Sequence, residues 1–177
     1  NAVSECNNDY LAARIAALRL LGYRGRSEAE VRRRLAPRYS IQTIARVITS
    51  LTKQGYLDDA AFAAQWRSSR ERRRPRGKSL LREELLGKGI PEDTIREALE
   101  DFDGLGNAYR AGQNLALRLA GEEFSKFRQR LWSFLQRRGF EGSVIRETVQ
   151  TLWQESSDPL NSGVDTETDE EQNQGSE

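Results

Sequence analysis

The sequence predicts an all-α fold: three tandem three-helix repeats, helix-turn-helix-like units in an elongated curved body, followed by a disordered acidic C-terminal tail. Two observations predict it. Apolar residues recur at helical spacings along the chain, and no stretch alternates as a half-buried strand would. The helical pattern then repeats three times at a period of 50 to 51 residues, and a fixed period of that kind marks an array of supersecondary units. Units of this type bury one stripe per helix and lean on their neighbours, which makes the body quasi-one-dimensional.

Pro, Gly and capping residues divide the chain into about nine helices. The first is expected from about Asp9 to Leu21, stopping at Gly22. The second opens at Ser27, with Glu30 at the spacing of a capping box, and ends before Pro37. The third starts after Ser40 and ends near Gly55. The same pattern then recurs. Val31/Leu35, Leu81/Leu85 and Leu131/Leu135 each place two apolar residues four apart. A turn follows with one apolar plug, Tyr39, Ile90 or Phe140, and the next helix carries Ile44/Ile48/Leu51, Ile95/Leu99/Phe102 or Ile145/Val149/Leu152. Amphipathic stripes of this kind face a core. The first copy is one residue shorter at its turn, "APRYS" against "GKGIP" and "RRGFE". The expected division is a disordered segment at 1–9, repeats at 10–57, 58–103 and 104–155, and a disordered tail at 156–177, where apolar side chains nearly vanish.

Composition narrows the function classes. The chain has no His, so the usual neutral-pH general base and the commonest metal ligand are missing, and a Ser/His/Asp triad is impossible. The single Cys6 rules out an internal disulfide and a cysteine metal cluster, and fits a reducing, cytoplasmic setting. No stretch approaches the roughly 18 apolar residues of a membrane span. The opening "NAVSEC" lacks the pattern of a signal peptide; it also lacks Met, as in a fragment or processed chain. The formal net charge of +1 hides an asymmetry: residues 1–154 carry 28 basic and 19 acidic groups, net +9, whereas eight acidic residues and no basic one follow from Glu155. Of the basic groups 24 are Arg, whose planar fork of donors suits carboxylates and phosphates.

Four motifs stand out. In "GYLDD", Gly55 suits a left-handed helix end on which Tyr56 and Leu57 pack back, and Asp58 or Asp59 suits a helix N-cap better than a metal or acid–base pair, since no third ligand is near in sequence. In "FAAQWRSSRERRRPRGK", Phe62 and Trp66 share a buried face beside a ridge of Arg67, Arg70 and Arg74; Pro75 and Gly77 then stop the helix and carry Arg76 and Lys78 into the next. Seven basic residues against Glu71 alone between 67 and 78 repel one another unless an anionic partner neutralises them. A second basic group, "YRGRS" with "EVRRRLAPR", offers Arg24, Arg26 and Arg33 for binding, although Glu28 and Glu30 could pair with them instead. The fourth, "KFRQRLWSFLQRR", sets Lys126, Arg128, Arg130, Arg137 and Arg138 around the core positions Phe127, Leu131 and Leu135. "RPRGKS" shares only its last letters with a phosphate-cradling loop. No catalytic constellation, metal site or cofactor site is expected, and the chain does not read as an enzyme.

The blocks "LRLLGYRGRSEAEVRRRL" and "VITSLTKQGYLDDAAFAAQWRSSRERRRPRGKSLLREELLGKGIPEDTIREAL", with their echo in the third repeat, resemble the RecX family over about residues 10–155. The resemblance implies a regulator of the RecA recombinase in DNA repair, homologous recombination and the SOS response. Such a protein binds the groove of the RecA–DNA filament and inhibits ATPase, strand exchange and filament extension. It also implies direct contact with single- or double-stranded DNA without sequence specificity, and a monomer without cofactor. The positions matching the family block are Tyr56, Leu57, Asp58, Asp59, Phe62, Trp66, Arg70, Arg74, Pro75, Arg76 and Gly77. The expected partner surface is Arg67, Arg70, Arg73, Arg74, Arg76 and Lys78 with Arg24, Arg26 and Arg33; Gly55, Tyr56, Leu57, Asp58, Asp59, Phe62, Trp66, Pro75 and Gly77 are expected to be structural. A DNA-binding helical repeat acting without RecA, and a solenoid scaffold kept soluble by its charge, are the other readings. The acidic tail lies outside the family pattern, and residues 158–177 are expected to screen the basic face.

Overall fold

The computed structural model describes the backbone of residues 2–157 and the side chains of residues 7–157. Within them lie nine helices and no strand: α1 (Ala2–Tyr23), α2 (Glu28–Leu35), α3 (Ile41–Lys53), α4 (Asp59–Arg73), α5 (Lys78–Gly87), α6 (Glu92–Ala98), α7 (Gly104–Arg118), α8 (Phe124–Arg137) and α9 (Gly142–Ser157). They form three units, α1–α3, α4–α6 and α7–α9, each with its own core. The expected acidic tail at 156–177 lies outside the described residues beyond Ser157.

Local chemistry sets the helix ends. Ser27 accepts from the Glu30 amide while the Glu30 carboxylate accepts from the Ser27 amide, so the expected capping box forms. Ser40 caps α3 through the Thr43 amide, and Gly55 ends that unit with φ of 75°. Helix α1 departs from expectation. It starts at Ala2, not Asp9, and so takes in the segment expected to be disordered. No Pro or Gly precedes Gly22, so nothing in the chain interrupts the helix there.

The repeated stripes are the cores. Val31, Leu35, Leu81, Leu85, Leu131 and Leu135 are all buried, as are Ile44, Ile48, Leu51, Ile95, Leu99, Ile145, Val149 and Leu152. Of the three plugs, Ile90 and Phe140 are buried and Tyr39 half-buried; Phe102 packs on the second core from its edge. Each fully buried Leu or Ile contributes about 1.5–3 kcal/mol relative to exposure. Spread over three separate cores, that burial holds each unit together more strongly than it holds the row.

Consecutive units meet through one motif used twice. At the first joint the Ser27 hydroxyl donates to the Lys88 carbonyl, and the left-handed Gly89 (φ 76°) lies against Ala29. At the second, fifty residues further on, the Gly77 amide donates to the Arg138 carbonyl at 2.8 Å. There the left-handed Gly139 (φ 80°) lies against Leu80, and the Ser79 hydroxyl donates to the Gly139 carbonyl at 2.7 Å. In each case the turn entering the middle helix of one unit sits on the turn leaving the middle helix of the next. A Cβ on Gly77 would overlap the Gly139 carbonyl, and one on Gly89 would overlap Ala29, so both close approaches require glycine. The first unit's "APRYS" turn lacks this glycine, and among the described residues no preceding unit sits on it.

Candidate interaction surface

Asp58 caps α4 by accepting from the Ala61 amide at 2.9 Å. Asp59 turns away and accepts from the Glu28 amide at 2.9 Å, so it caps the first turn of α2 in the neighbouring unit. Burial raises the Asp59 pKa, and the Glu28 amide opposes that rise. The aspartate pair therefore serves two helix starts, one in each unit. Leu57 packs into the core as expected, whereas Tyr56 is exposed. Among the described residues no group of three acidic, His or Cys side chains is arranged to hold a metal.

From that cap, α4 runs toward its basic end. Phe62 and Trp66 stack at 5.9 Å on the buried side. The Trp66 indole donates to Glu84 on α5 at 2.7 Å, and Arg70 lies over the indole at 4.4 Å while donating to the same Glu84 oxygen at 2.9 Å. Arg76 pairs with the other Glu84 oxygen. Glu84 keeps only 14% of its side chain exposed. A carboxylate so placed is tolerated because every oxygen meets a cation or donor.

The first joint has its own buried carboxylate. Glu30, 11% exposed, accepts from Arg24 at 2.9 Å and from Lys88 at 3.3 Å. Burial alone would raise its pKa, but hydrogen bonds from Arg24, Ser27 and Lys88 hold it down at about 2. Lys88 also lies over the Trp66 ring at 5.0 Å. An unbroken line of contacts therefore links Arg24, Glu30, Lys88, Trp66, Glu84 and Arg76 across two units.

The expected partner surface divides in two. Arg67, 17% exposed, pairs with Glu71 and Asp101 and donates to the Ala98 carbonyl, tying α4 to the end of α6. Arg70 and Arg76 hold Glu84, Arg24 holds Glu30, and Arg26 donates to the Leu20 carbonyl at 3.1 Å. These five already have internal partners. Arg33, Arg73, Arg74 and Lys78 are exposed and have no ion-pair partner among the described residues.

One residue was not in the expected surface. Arg138, from the end of α8, stacks over Phe134 at 4.4 Å and reaches the Pro75 carbonyl at 3.4 Å. It thereby enters the same field as Arg70, Arg74 and Arg76. Burial lowers the Arg76 pKa, and Arg70, Arg138 and Arg74 lower it further; burial and then Arg74 lower that of Arg138. Four guanidinium groups from two units thus crowd the second joint with Glu84 as their one carboxylate contact among the described residues. The pairing signal for Arg138 was the fifty-residue period itself, since Arg138 stands where Lys88 stands one repeat earlier.

Comparison with known proteins agrees with this architecture. Residues 13–51, 58–99 and 103–149 match models of the first, second and third three-helix domains of RecX. The chain belongs to the RecX family. It is 36% identical to the regulatory protein RecX of Chlorobium limicola over 139 residues, covering 78% of this chain and 87% of that protein. It is also 36% identical to the regulatory protein RecX of Mycolicibacterium smegmatis, covering 77% of each. The crystal structure of RecX from Lactobacillus salivarius superposes with a TM-score of 0.77 over 84% of this chain and 99% of that one, at 20% identity. The RecX family is one of regulatory proteins, and this chain is a regulator built on a helical repeat. No helix among the described residues is long and apolar enough to cross a membrane.

Proposed function

We propose that this protein binds the RecA recombinase filament on DNA and restrains its ATPase, strand-exchange and extension activities, acting as a cytoplasmic monomer. The observation that carries the reading is the second joint. Arg70, Arg74, Arg76 and Arg138 lie there in one another's field with a single carboxylate among them. Crowded like charge is relieved by an anionic partner, and arginine's donor fork fits both the carboxylates of a protein surface and the phosphates of DNA. The three-unit row supports the same reading, because an array of small units presents an extended face to an extended partner.

The residues to change are those without internal duties. Arg73→Glu with Arg74→Glu, in a chain that keeps its helical content and unfolding midpoint, is expected to lose most of its effect on RecA ATPase measured on single-stranded DNA. Full inhibition by that variant would refute the assignment. A second reading, non-specific DNA binding without RecA, rests on those cations of the expected surface that are exposed and lack an ion-pair partner among the described residues, Arg33, Arg73, Arg74 and Lys78. Its mark is tight binding to DNA alone that weakens with salt, and removing one phosphate contact lowers that salt slope by about 1.

A further inference from the structure

A cleft of about 590 Å³ opens on the third unit, far in sequence from the arginine cluster of α4. Its floor is aromatic and aliphatic: Phe124, Trp132, Val149 and Trp153. Phe124 is 46% exposed and tilts against Trp153 at 5.1 Å; Trp153 meets the buried Phe127 edge-on at 5.1 Å. Arg128 and Arg146 stand on the walls, both exposed, with no hydrogen bond or ion pair to any described residue. Apolar floors with a few convergent charged groups are the usual form of a recognition cleft, and a volume in the hundreds of Å³ admits a short peptide segment.

We propose that the cleft is the docking site of the protein's own acidic segment, residues 158–177. Three facts select this occupant. The described part of α9 ends at Ser157, four residues beyond Trp153, on the side of the cleft where Phe124 and Trp153 meet, and the segment follows directly in the chain. Its charge is complementary: seven acidic residues and no basic one, against two unpaired arginines. Its only aliphatic side chains beyond Pro159 are Leu160 and Val164, within its first seven residues, and the acidic run Asp165–Glu171 follows. The reach suffices: from Trp153 back to Arg146 is about 10 Å of helix, a span that about four extended residues cover. Tethering gives the segment an effective concentration of order millimolar, so weak contacts hold it. Docked there, the tail screens the third unit and leaves the second-joint arginines free.

Two of the three tryptophans line the cleft, which supplies the readout. Acrylamide quenching of tryptophan fluorescence is compared between the full chain and a full-length variant with Asn or Gln at the seven acidic positions of 158–177. Quenching is expected to rise about twofold in the neutralised chain, and 1 M salt should bring the wild-type chain to the same level, because exposed charge pairs are screened there. A peptide of residues 158–177 added to the neutralised chain should restore protection. Arg128→Gln with Arg146→Gln should weaken that peptide about tenfold, roughly threefold for each exposed pair. Equal quenching in the two chains overturns the proposal, as does a peptide that protects the double variant equally. Protection that grows with protein concentration assigns the cleft to a second copy and also overturns it. So does oligodeoxythymidylate that protects the wild-type and neutralised chains alike. None of these readouts involves RecA, so a failure here leaves the regulatory reading intact.

Discussion

At the joint between the first and second units, Ser27 donates to the Lys88 carbonyl; at the joint between the second and third, Gly77 donates to that of Arg138, fifty residues on. The same pair of turns meets at both joints, through a hydroxyl at the first and a backbone amide at the second, and the charges around them are opposite in character. The first joint buries a carboxylate between Arg24 and Lys88 and adds Asp59 across the seam, so its charges are balanced within the protein. The second gathers Arg70, Arg74, Arg76 and Arg138 about Glu84 and leaves their repulsion standing. A repeat can thus set one geometry in two electrostatic contexts: one joint is closed by its own ions, and the other keeps an excess of arginine, the excess on which the proposed partner binding rests.

The joints break most directly at their glycines. Gly77→Ala drives a Cβ into the Gly139 carbonyl and the Phe140 amide, backbone atoms that cannot turn aside. The expected loss is about 2–3 kcal/mol, the cost of forcing atoms into a filled site, read from urea unfolding. Gly25→Ala is the control. Its nearest atoms lie at 3.9 Å, so its stability should hardly change. A Gly77→Ala chain as stable as wild type would mean that the second joint opens without cost and does not hold the arginines together.

Next in size is the acid behaviour of the first joint. Glu30 has a folded pKa of about 2, below the ordinary glutamate value of about 4.3 in the unfolded chain. A depressed carboxylate stabilises the fold above the unfolded pKa, and that contribution fades as pH falls through the interval to the folded pKa. The loss should therefore run from about pH 4.3 down to about pH 2 and amount to about 2–3 kcal/mol for a shift of this size. Glu30→Gln should lower stability at pH 7 and flatten that limb. A wild-type chain whose urea midpoint stays constant from pH 5 to pH 2 would deny the first joint its buried ion pair.

The stripes, the plugs, the Ser27 capping box, an aspartate cap at Asp58 or Asp59 and the left-handed Gly55 were all legible in the sequence, because each depends on residues within one or two helical turns; that Asp58 takes the cap while Asp59 reaches the neighbouring unit was not. The partners of the arginines were not. Glu84 lies 14 residues from Arg70, Glu30 lies 58 from Lys88, and Asp101 lies 34 from Arg67, so no local spacing announces these pairs. Six of the seven basic residues of the run were expected to face a partner, yet Arg67, Arg70 and Arg76 pair within the protein while Arg73, Arg74 and Lys78 do not. The glycine missing from "APRYS" was visible as an irregularity; its reason appears only once Gly89 and Gly139 are seen to receive a neighbour.

Glu84 sharpens the comparison at intermediate size. Glu84→Gln keeps an acceptor for the Trp66 indole and removes the negative charge that holds Arg70 and Arg76. Stability should fall by about 1 kcal/mol, the scale of a charge-assisted hydrogen bond lost from a part-buried site. On the proposed reading, affinity for single-stranded DNA or the RecA filament should rise at low salt, because two more cations are released to anions, and the salt dependence should steepen by up to about 2 units. Weaker binding by this variant would show that Glu84 organises the arginines for their partner instead of competing with it.

The smallest effect is the one that separates the joints. Arg33 on α2 and Arg74 at the end of α4 are both exposed and both lack an ion-pair partner among the described residues, so Arg33→Ala and Arg74→Ala should each change stability by less than about 0.5 kcal/mol. Their binding effects should differ. Arg74 belongs to the crowded field of Arg76 and Arg138, where each charge adds to a potential that a partner must meet; Arg33 follows Glu28 and Glu30 on a helix whose acids are already engaged. On the proposed RecA reading, inhibition of RecA ATPase should therefore weaken several-fold with Arg74→Ala and less than about twofold with Arg33→Ala, the difference between a focused charge and an isolated one. Equal losses at the two positions would mean that the partner spans both joints, and that the balance of charge at the first joint serves folding without excluding contact.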